Sequence, residues 1–211
     1  AAWRGTWALD GGGCLMNQGI HTLDLLIHLV SEPAEVSAFQ GPVTHQRIEV
    51  EDNLSATVRF ENGAIGTIEA STSCAPGFPR RVEISGEKGT IGIEDNRIVR
   101  WEFSEKKSED DQIINQFKTN KTSVGGAADP MAIDVSGHCL IVEDFVRSVQ
   151  EKREPFIHGI EARKSVDLVC AVYDSIRTGR QVIKIPTGRG RPFDNNWASM
   201  SIAPNGDFYA G

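Results

Sequence analysis

Residues 54–71 read LSATVRFENGAIGTIEAS, and this stretch limits the possible fold more than any other. Leu54, Ala56, Val58 and Phe60 alternate with Ser55, Thr57, Arg59 and Glu61, the period-2 pattern of a strand with one buried and one wet face. Asn62-Gly63 is a strong hairpin signal, so residues 65–71 return as an antiparallel partner. A sheet that is apolar on one side needs helices against that side. Further strands extend the pattern. Residues 36–40 precede it; Val82 and Ile84, residues 90–93 and residues 98–103 follow, with turns at Glu87-Lys88-Gly89 and Asp95-Asn96. Residues 182–185 make a last strand.

Three helical stripes supply the cover. Met16, Ile20, Leu23, Ile27 and Val30 recur at helical spacing until Pro33 stops the run. Val135, Cys139, Val142, Phe145 and Val149 make a second stripe. Ala162, Val166, Val169, Tyr173 and Ile176 make a third, ended by Gly179. The expected fold class is α+β: an open-faced, mostly antiparallel sheet of six or seven strands with helices on one face. Residues 104–130 are polar and low in pattern and read as a long loop. Residues 187–211 are rich in Gly, Pro and Asn and read as an irregular tail, leaving 1–186 as one domain.

Composition narrows the function classes. With 39% apolar and 24% charged residues, the chain of 211 is an ordinary globule. Its formal charge of −7 offers no overall basic surface to nucleic acid. No run nears the roughly 18 apolar residues of a membrane span, and no basic-then-apolar leader opens the chain, so the cytoplasm is the expected location. Cys14, Cys74, Cys139 and Cys170 lie far apart with no CxxC pair. The expectation is buried, reduced thiols and no metal site. The chain begins at Ala1 rather than Met, as a fragment or a processed chain would.

Candidate chemistry concentrates near the start. Gly11-Gly12-Gly13 leads into the first helix, and beside its apolar stripe Asn17, His21, Asp24 and His28 fall at i, i+4, i+7 and i+11. Such a seam can present polar groups to a ligand; the spacing alone also fits a core histidine and a packing aspartate. Trp3, Arg4 and Trp7 place a guanidinium between two aromatics, suited to clamping a polar ligand or to plain surface packing. His138, beside an apolar stripe, reads as structural. No dinucleotide fingerprint is present: Met16 and Phe193 stand where the third glycine of GxGxxG belongs after Gly11 and Gly188.

The run WRGTWALDGGGCLMNQGIHTLDLL (residues 3–26) closely resembles the second domain of the glucose-fructose oxidoreductase / inositol dehydrogenase (Gfo/Idh/MocA) family. The resemblance continues in VEDNLSATVRFENGAIGTIEAS (50–71), ISGEKGTIGIED (84–95) and the two closing helices, and covers residues 3–185. It implies a two-domain enzyme whose N-terminal Rossmann domain holds NAD or NADP and brings a lysine in a Glu-Lys-Pro loop. Neither feature occurs in this sequence, which therefore reads as the C-terminal substrate and oligomerisation domain. The family pairs such sheets into dimers or tetramers, here through a face of short polar side chains with Trp101 nearby.

Carried onto this sequence, the family's histidine is His21, which takes the proton from a sugar or polyol hydroxyl during hydride transfer. Imidazole suits the task because it exchanges protons near neutral pH. The family has an acid four positions earlier, where this chain has Asn17, which hydrogen-bonds a hydroxyl but carries no charge. Asp24 either supplies the carboxylate or pins the helix, and pinning is the expectation. The resemblance thus implies His21 and Asn17 as catalytic, Trp3, Arg4, Asn17, His21 and Asp24 as substrate contacts, and Gly13 beside the cofactor. The implied activity is that of an NAD(P)-dependent dehydrogenase in the full-length protein, with this chain alone inactive. The other reading is a non-catalytic relative used for ligand binding or assembly, which Asn17 favours.

Overall fold

The computed structural model describes residues 4–95, 97–118, 136–179, 183–185, 200–202 and 208–210. Its backbone forms two units, one from the chain up to Ala75 and from Gly159 onward, the other Pro76–His158.

In the first unit, α1 (Trp7–Asp10) leads through the glycines to a wide π-turn at Leu15–Gly19 and directly on into α2 (Ile20–Leu29). Pro33 then opens β1 (Pro33–Gln40). The alternating stretch becomes β2 (Asn53–Phe60), and β3 (Ile65–Ser71) returns along it with Thr57 opposite Thr67. Gly63 sits at φ +85° in the connecting turn, the left-handed region that Asn-Gly provides. After α5 (Gly159–Thr178), β7 (Ile183–Lys184) pairs antiparallel with β1, giving the order β3-β2-β1-β7.

Leu54, Ala56, Val58 and Phe60 of β2 point into the core with Val36 and Ala38 of β1 and Ile68 of β3. Leu23 and Ile27 of α2 and Leu168, Val169 and Val172 of α5 close over them. Each buried Leu, Ile, Val or Phe among them contributes roughly 1.5–3 kcal/mol by leaving water. Two of the three predicted helices, α2 and α5, therefore cover one sheet face. The other face shows Ser55, Thr57 and Arg59 exposed, with Phe39 and Ile65 beside them at 75% and 77% exposure.

The buried side of α5 is Ser165, Leu168, Val169, Ala171, Val172 and Ser175, rotated from the predicted stripe. Ala162 lies exposed. Apolarity misjudged this helix because two of its buried residues are serines with partners. Ser175 Oγ accepts the Ala38 backbone N–H at 2.9 Å, and Ser165 is bonded as described below.

In the second unit, β4 (Arg81–Gly86), β5 (Gly89–Glu94) and β6 (Arg97–Phe103) form a separate antiparallel sheet in that order. The single large sheet predicted from sequence is thus two smaller ones. Pro76 and Pro79 lie in the link between β3 and β4; lacking an N–H, proline cannot extend a ladder. Trp101 belongs to β6 and so to the second unit, not to the sheet of β1, β2 and β3. The predicted loop contains α3 (Asp110–Lys118). Asp110 fixes its start: the buried carboxylate accepts Trp101 Nε1–H at 3.0 Å and the Lys107 N–H at 2.7 Å.

The second unit also contains α4 (Ser136–Glu151), on which Val142, Phe145 and Val149 are exposed, as is His138. Of the cysteines, Cys14 is buried and Cys170 half-buried, whereas Cys74 and Cys139 are exposed, so only part of the expected burial holds; all four are free. Within the segment read as an irregular tail, β8 (Met200–Ile202) and β9 (Phe208–Ala210) pair antiparallel. Asn96, Val135, Val182, Gly188, Gly190 and Phe193 lie outside the described residues. Among the described residues no helix is long and apolar enough to cross a membrane.

Candidate active site

The glycine turn is built around a buried carboxylate. Gly11, at φ +74°, ends α1 and donates its N–H to Trp7 O. A Cβ on Gly12 would strike the Tyr173 hydroxyl, and one on Gly13 would fall on the Glu51 backbone carbonyl. Side-chain-free residues are needed here because another backbone passes so close. Three successive amides then turn onto Glu51. Gly13 N–H donates to Oε2 at 2.7 Å, Cys14 N–H to the main-chain oxygen at 3.0 Å and Leu15 N–H to Oε1 at 3.0 Å. Tyr173 O–H donates to the same Oε1 at 2.9 Å. Glu51 is 1% exposed, and burial of a carboxylate is tolerated because hydrogen bonds replace its water.

From this anchor runs the helix that carries the polar seam. Leu15 is fully buried, and the π-turn it opens bonds more widely than an α-helix, a feature that recurs at functional sites. Asn17, His21, Asp24 and His28 are all exposed. Among the described residues the Asn17 and His21 side chains make no hydrogen bond. Asp24 does: its Oδ1 accepts Ser165 O–H at 2.6 Å, tying α2 to α5.

Of the aromatic clamp, Arg4 is exposed, and Trp3 lies outside the described residues. Trp7 packs edge-on against Tyr173 with ring centroids 5.2 Å apart, and its Nε1–H donates to Glu49 O at 3.0 Å. Glu49 thus holds α1, Glu51 the glycine turn and Asp52 the loop at Thr44 and His45. Asp52 Oδ2 accepts the Thr44 N–H at 2.8 Å, the His45 N–H at 2.9 Å and lies 2.8 Å from His45 Nδ1. Burial alone would raise the Asp52 carboxyl, but the bonds from His45, Thr44 and Asn53 outweigh it and hold it below the usual carboxylate range. Sequence reading missed Glu51, Asp52 and Tyr173. The available signal was a pair of acids set directly before an apolar strand, where burial is expected and charge is not.

Burial, followed by the Glu51 charge, pushes the Tyr173 hydroxyl well above its ordinary range, which keeps it a donor. Burial first, and then Glu51 and Asp52, push the Cys14 thiol up to about 12; burial and the Asp167 and Asp174 charges push Cys170 up to about 12 as well. Neither thiol is a nucleophile at neutral pH. Three consecutive amides are the kind of nest that cradles a phosphate elsewhere, but Glu51 fills this one. These residues therefore do not fit a dinucleotide's pyrophosphate. Among the described residues no group of His, Cys, Asp and Glu is placed to hold a metal ion.

The fold and seam define a helix-covered antiparallel sheet domain that presents a histidine and an asparagine to solvent. Residues 1–92 match the family model described as the GFO/IDH/MocA C-terminal domain. The matched part, residues 1–92, is similar to that family's C-terminal domain. The chain is 25% identical over 178 residues to the scyllo-inositol 2-dehydrogenase (NAD(+)) of Bacillus subtilis, covering 81% of this chain and 47% of that enzyme. It is 22% identical over 161 residues to the myo-inositol 2-dehydrogenase of Thermotoga maritima, covering 67% and 48%. The WlbA dehydrogenase of Bordetella pertussis, solved with NADH and UDP-GlcNAcA, superposes with a TM-score of 0.73 at 32% identity over 89% of this chain and 52% of that one. The chain thus spans about half the length of the relatives it matches.

Proposed function

We propose that this chain is the substrate-side, C-terminal domain of a cytoplasmic NAD-dependent oxidoreductase that oxidises a hydroxyl of a sugar, polyol or sugar nucleotide. The single observation that carries the proposal is the His21–Asn17 pair: exposed, without partners among the described residues, and mounted on a helix whose start is held by Glu51. The related enzymes' names and bound molecules supply the substrate class and the cofactor.

In this reading the cofactor's pyrophosphate is held by a domain beyond this chain, because the nest at residues 13–15 is filled. Held by that other domain, the nicotinamide would supply the hydride acceptor for the substrate carbon. His21 takes the hydroxyl proton onto an imidazole nitrogen as the carbonyl forms, a general-base role. Asn17 donates its amide N–H to, or accepts from, a neighbouring hydroxyl and so orients the sugar. Arg4, exposed ahead of the turn, contributes a fork for the oxygens of an anionic substituent. Gly13, its N–H already taken, offers the nicotinamide only close approach. The polar outer face of β1, β2 and β3 serves as the homo-oligomer interface.

The test is an absorbance assay of NADH formation by the full-length protein with scyllo-inositol, myo-inositol and UDP-GlcNAcA. Turnover of at least one supports the proposal. Tight binding of these compounds without any NADH favours the non-catalytic reading, for which Asn17 in place of the family's acid is the specific observation.

A further inference from the structure

We infer that Glu51 is the positioning residue of the site: its buried carboxylate fixes the π-turn and thereby the aim of Asn17 relative to His21. This rests on the proposed role of His21. An ordinary helix start leaves its first amides to water or to a small capping side chain. Here those of Gly13 and Leu15 go to the two oxygens of one carboxylate, and that of Cys14 to the same residue's main chain. The anchor comes from the residue two places before β2, the central partner of β1 and β3, so the turn is tied to the sheet rather than to its own helix. Tyr173 of α5 adds the remaining donor to Oε1.

The consequence concerns geometry. The π-turn covers Leu15–Gly19 and includes Asn17; His21 follows in the first turn of α2. A π-turn is a disfavoured, short-lived form of helix unless its surroundings over-determine it. Released from Glu51, residues 15–19 are free to tighten to α-helical bonding, which rotates Asn17 about the helix axis relative to His21. The Gly13 carbonyl, which accepts the Asn17 N–H at 3.0 Å, would move with the turn. A misplacement of about 1 Å at a reacting pair costs on the order of a hundredfold in rate.

Glu51→Gln is the informative variant. Whichever way its amide sits, an NH2 faces the Gly13 N–H or the Leu15 N–H and Tyr173 O–H, donor against donor. Phe60→Leu, buried at the far end of β2, serves as a control for general destabilisation. The full-length protein, labelled with 13C at the histidine ring, is studied by NMR and by steady-state kinetics at a temperature where both variants are folded. The expected result is a shifted His21 ring resonance in Glu51→Gln, kcat lower by about tenfold to a hundredfold and KM for NAD+ within about twofold. Phe60→Leu is expected to leave both the resonance and kcat in place.

An unmoved His21 resonance with kcat as in Phe60→Leu overturns the inference. If Glu51→Gln does not fold, Tyr173→Phe decides: it removes one donor and keeps the ring. A shifted resonance with kcat down about threefold supports positioning, whereas no change in either overturns it. His21→Ala measured alongside separates the two claims. Full turnover there defeats the base assignment itself. Lost turnover there, with Glu51→Gln fully active, defeats only the positioning role.

Discussion

Ser165 Oγ donates to Asp24 Oδ1 across 2.6 Å, joining two helices whose residues lie 141 apart in sequence. Ser165 is 3% exposed and Asp24 is open to solvent, so the bond spans the boundary between core and surface. Ser165→Ala removes the donor while the Asp24 carboxylate regains water. We predict a loss of about 1 kcal/mol, a fall of roughly 2–4 °C in melting temperature, and kcat within about twofold of wild type. Urea unfolding and steady-state rates check this. A tenfold fall in kcat without loss of stability would mean that Asp24 acts in the chemistry and does not simply pin the helix.

Asp52 makes stability depend on acid. Its carboxyl lies below the ordinary value of 3.8 in the folded state, so it binds a proton less readily there than in the unfolded chain. The stability it contributes is present above that ordinary value and is lost as pH falls through the lower, folded one. Asp52→Asn should therefore be less stable than wild type at pH 7, with the difference shrinking below about pH 4. Chemical unfolding between pH 7 and pH 2.5 measures both curves. Parallel acid limbs would contradict the assignment.

The parts of this fold that follow from short-range rules were legible in the sequence. Leu54, Ala56, Val58 and Phe60 alternate because one sheet face is dry, and Asn62-Gly63 closes the hairpin because Gly63 takes a positive φ. The π-turn was not legible: an α-helical wheel places Asn17 and His21 on one side whether or not the turn widens. Nor was the role of Glu51, since an acidic residue before a strand reads as surface until its three donors, from residues 13, 15 and 173, are seen together. The split into two sheets follows from Pro76 and Pro79, which interrupt a meander that local pattern alone would continue. Ser165 and Ser175 escaped an apolarity count for a related reason, because their burial depends on partners far away in the chain.

The outer sheet face yields a prediction about assembly. Phe39 and Ile65 stand exposed at opposite corners of a surface that also carries Glu35, Ser37, Ser55, Thr57, Arg59, Thr67 and Glu69. A two-fold pairing through this face would bury more than about 1,000 Å² in total. Light scattering at tens of micromolar should show a dimer or tetramer, and Phe39→Glu with Ile65→Glu should shift it toward monomer. A wild-type protein that is strictly monomeric would refute the pairing.

Cofactor binding should require more than this chain. With the amides of residues 13–15 spent on Glu51, isothermal calorimetry of the isolated chain with NADH should register no binding at concentrations up to about a millimolar. A micromolar dissociation constant would show that the chain cradles the dinucleotide by itself.

The central claim is that His21 is the general base, and the most direct test compares His21→Ala with His28→Ala in the full-length protein. Both residues are exposed on the same helix seam, seven positions apart, so a general effect of altering that surface should touch them alike. Steady-state turnover with NAD+ and the best of the inositol or UDP-GlcNAcA substrates should fall by roughly 10²–10⁴-fold in His21→Ala and by less than about threefold in His28→Ala. Near-wild-type turnover in His21→Ala would contradict the account and return this domain to ligand binding or assembly.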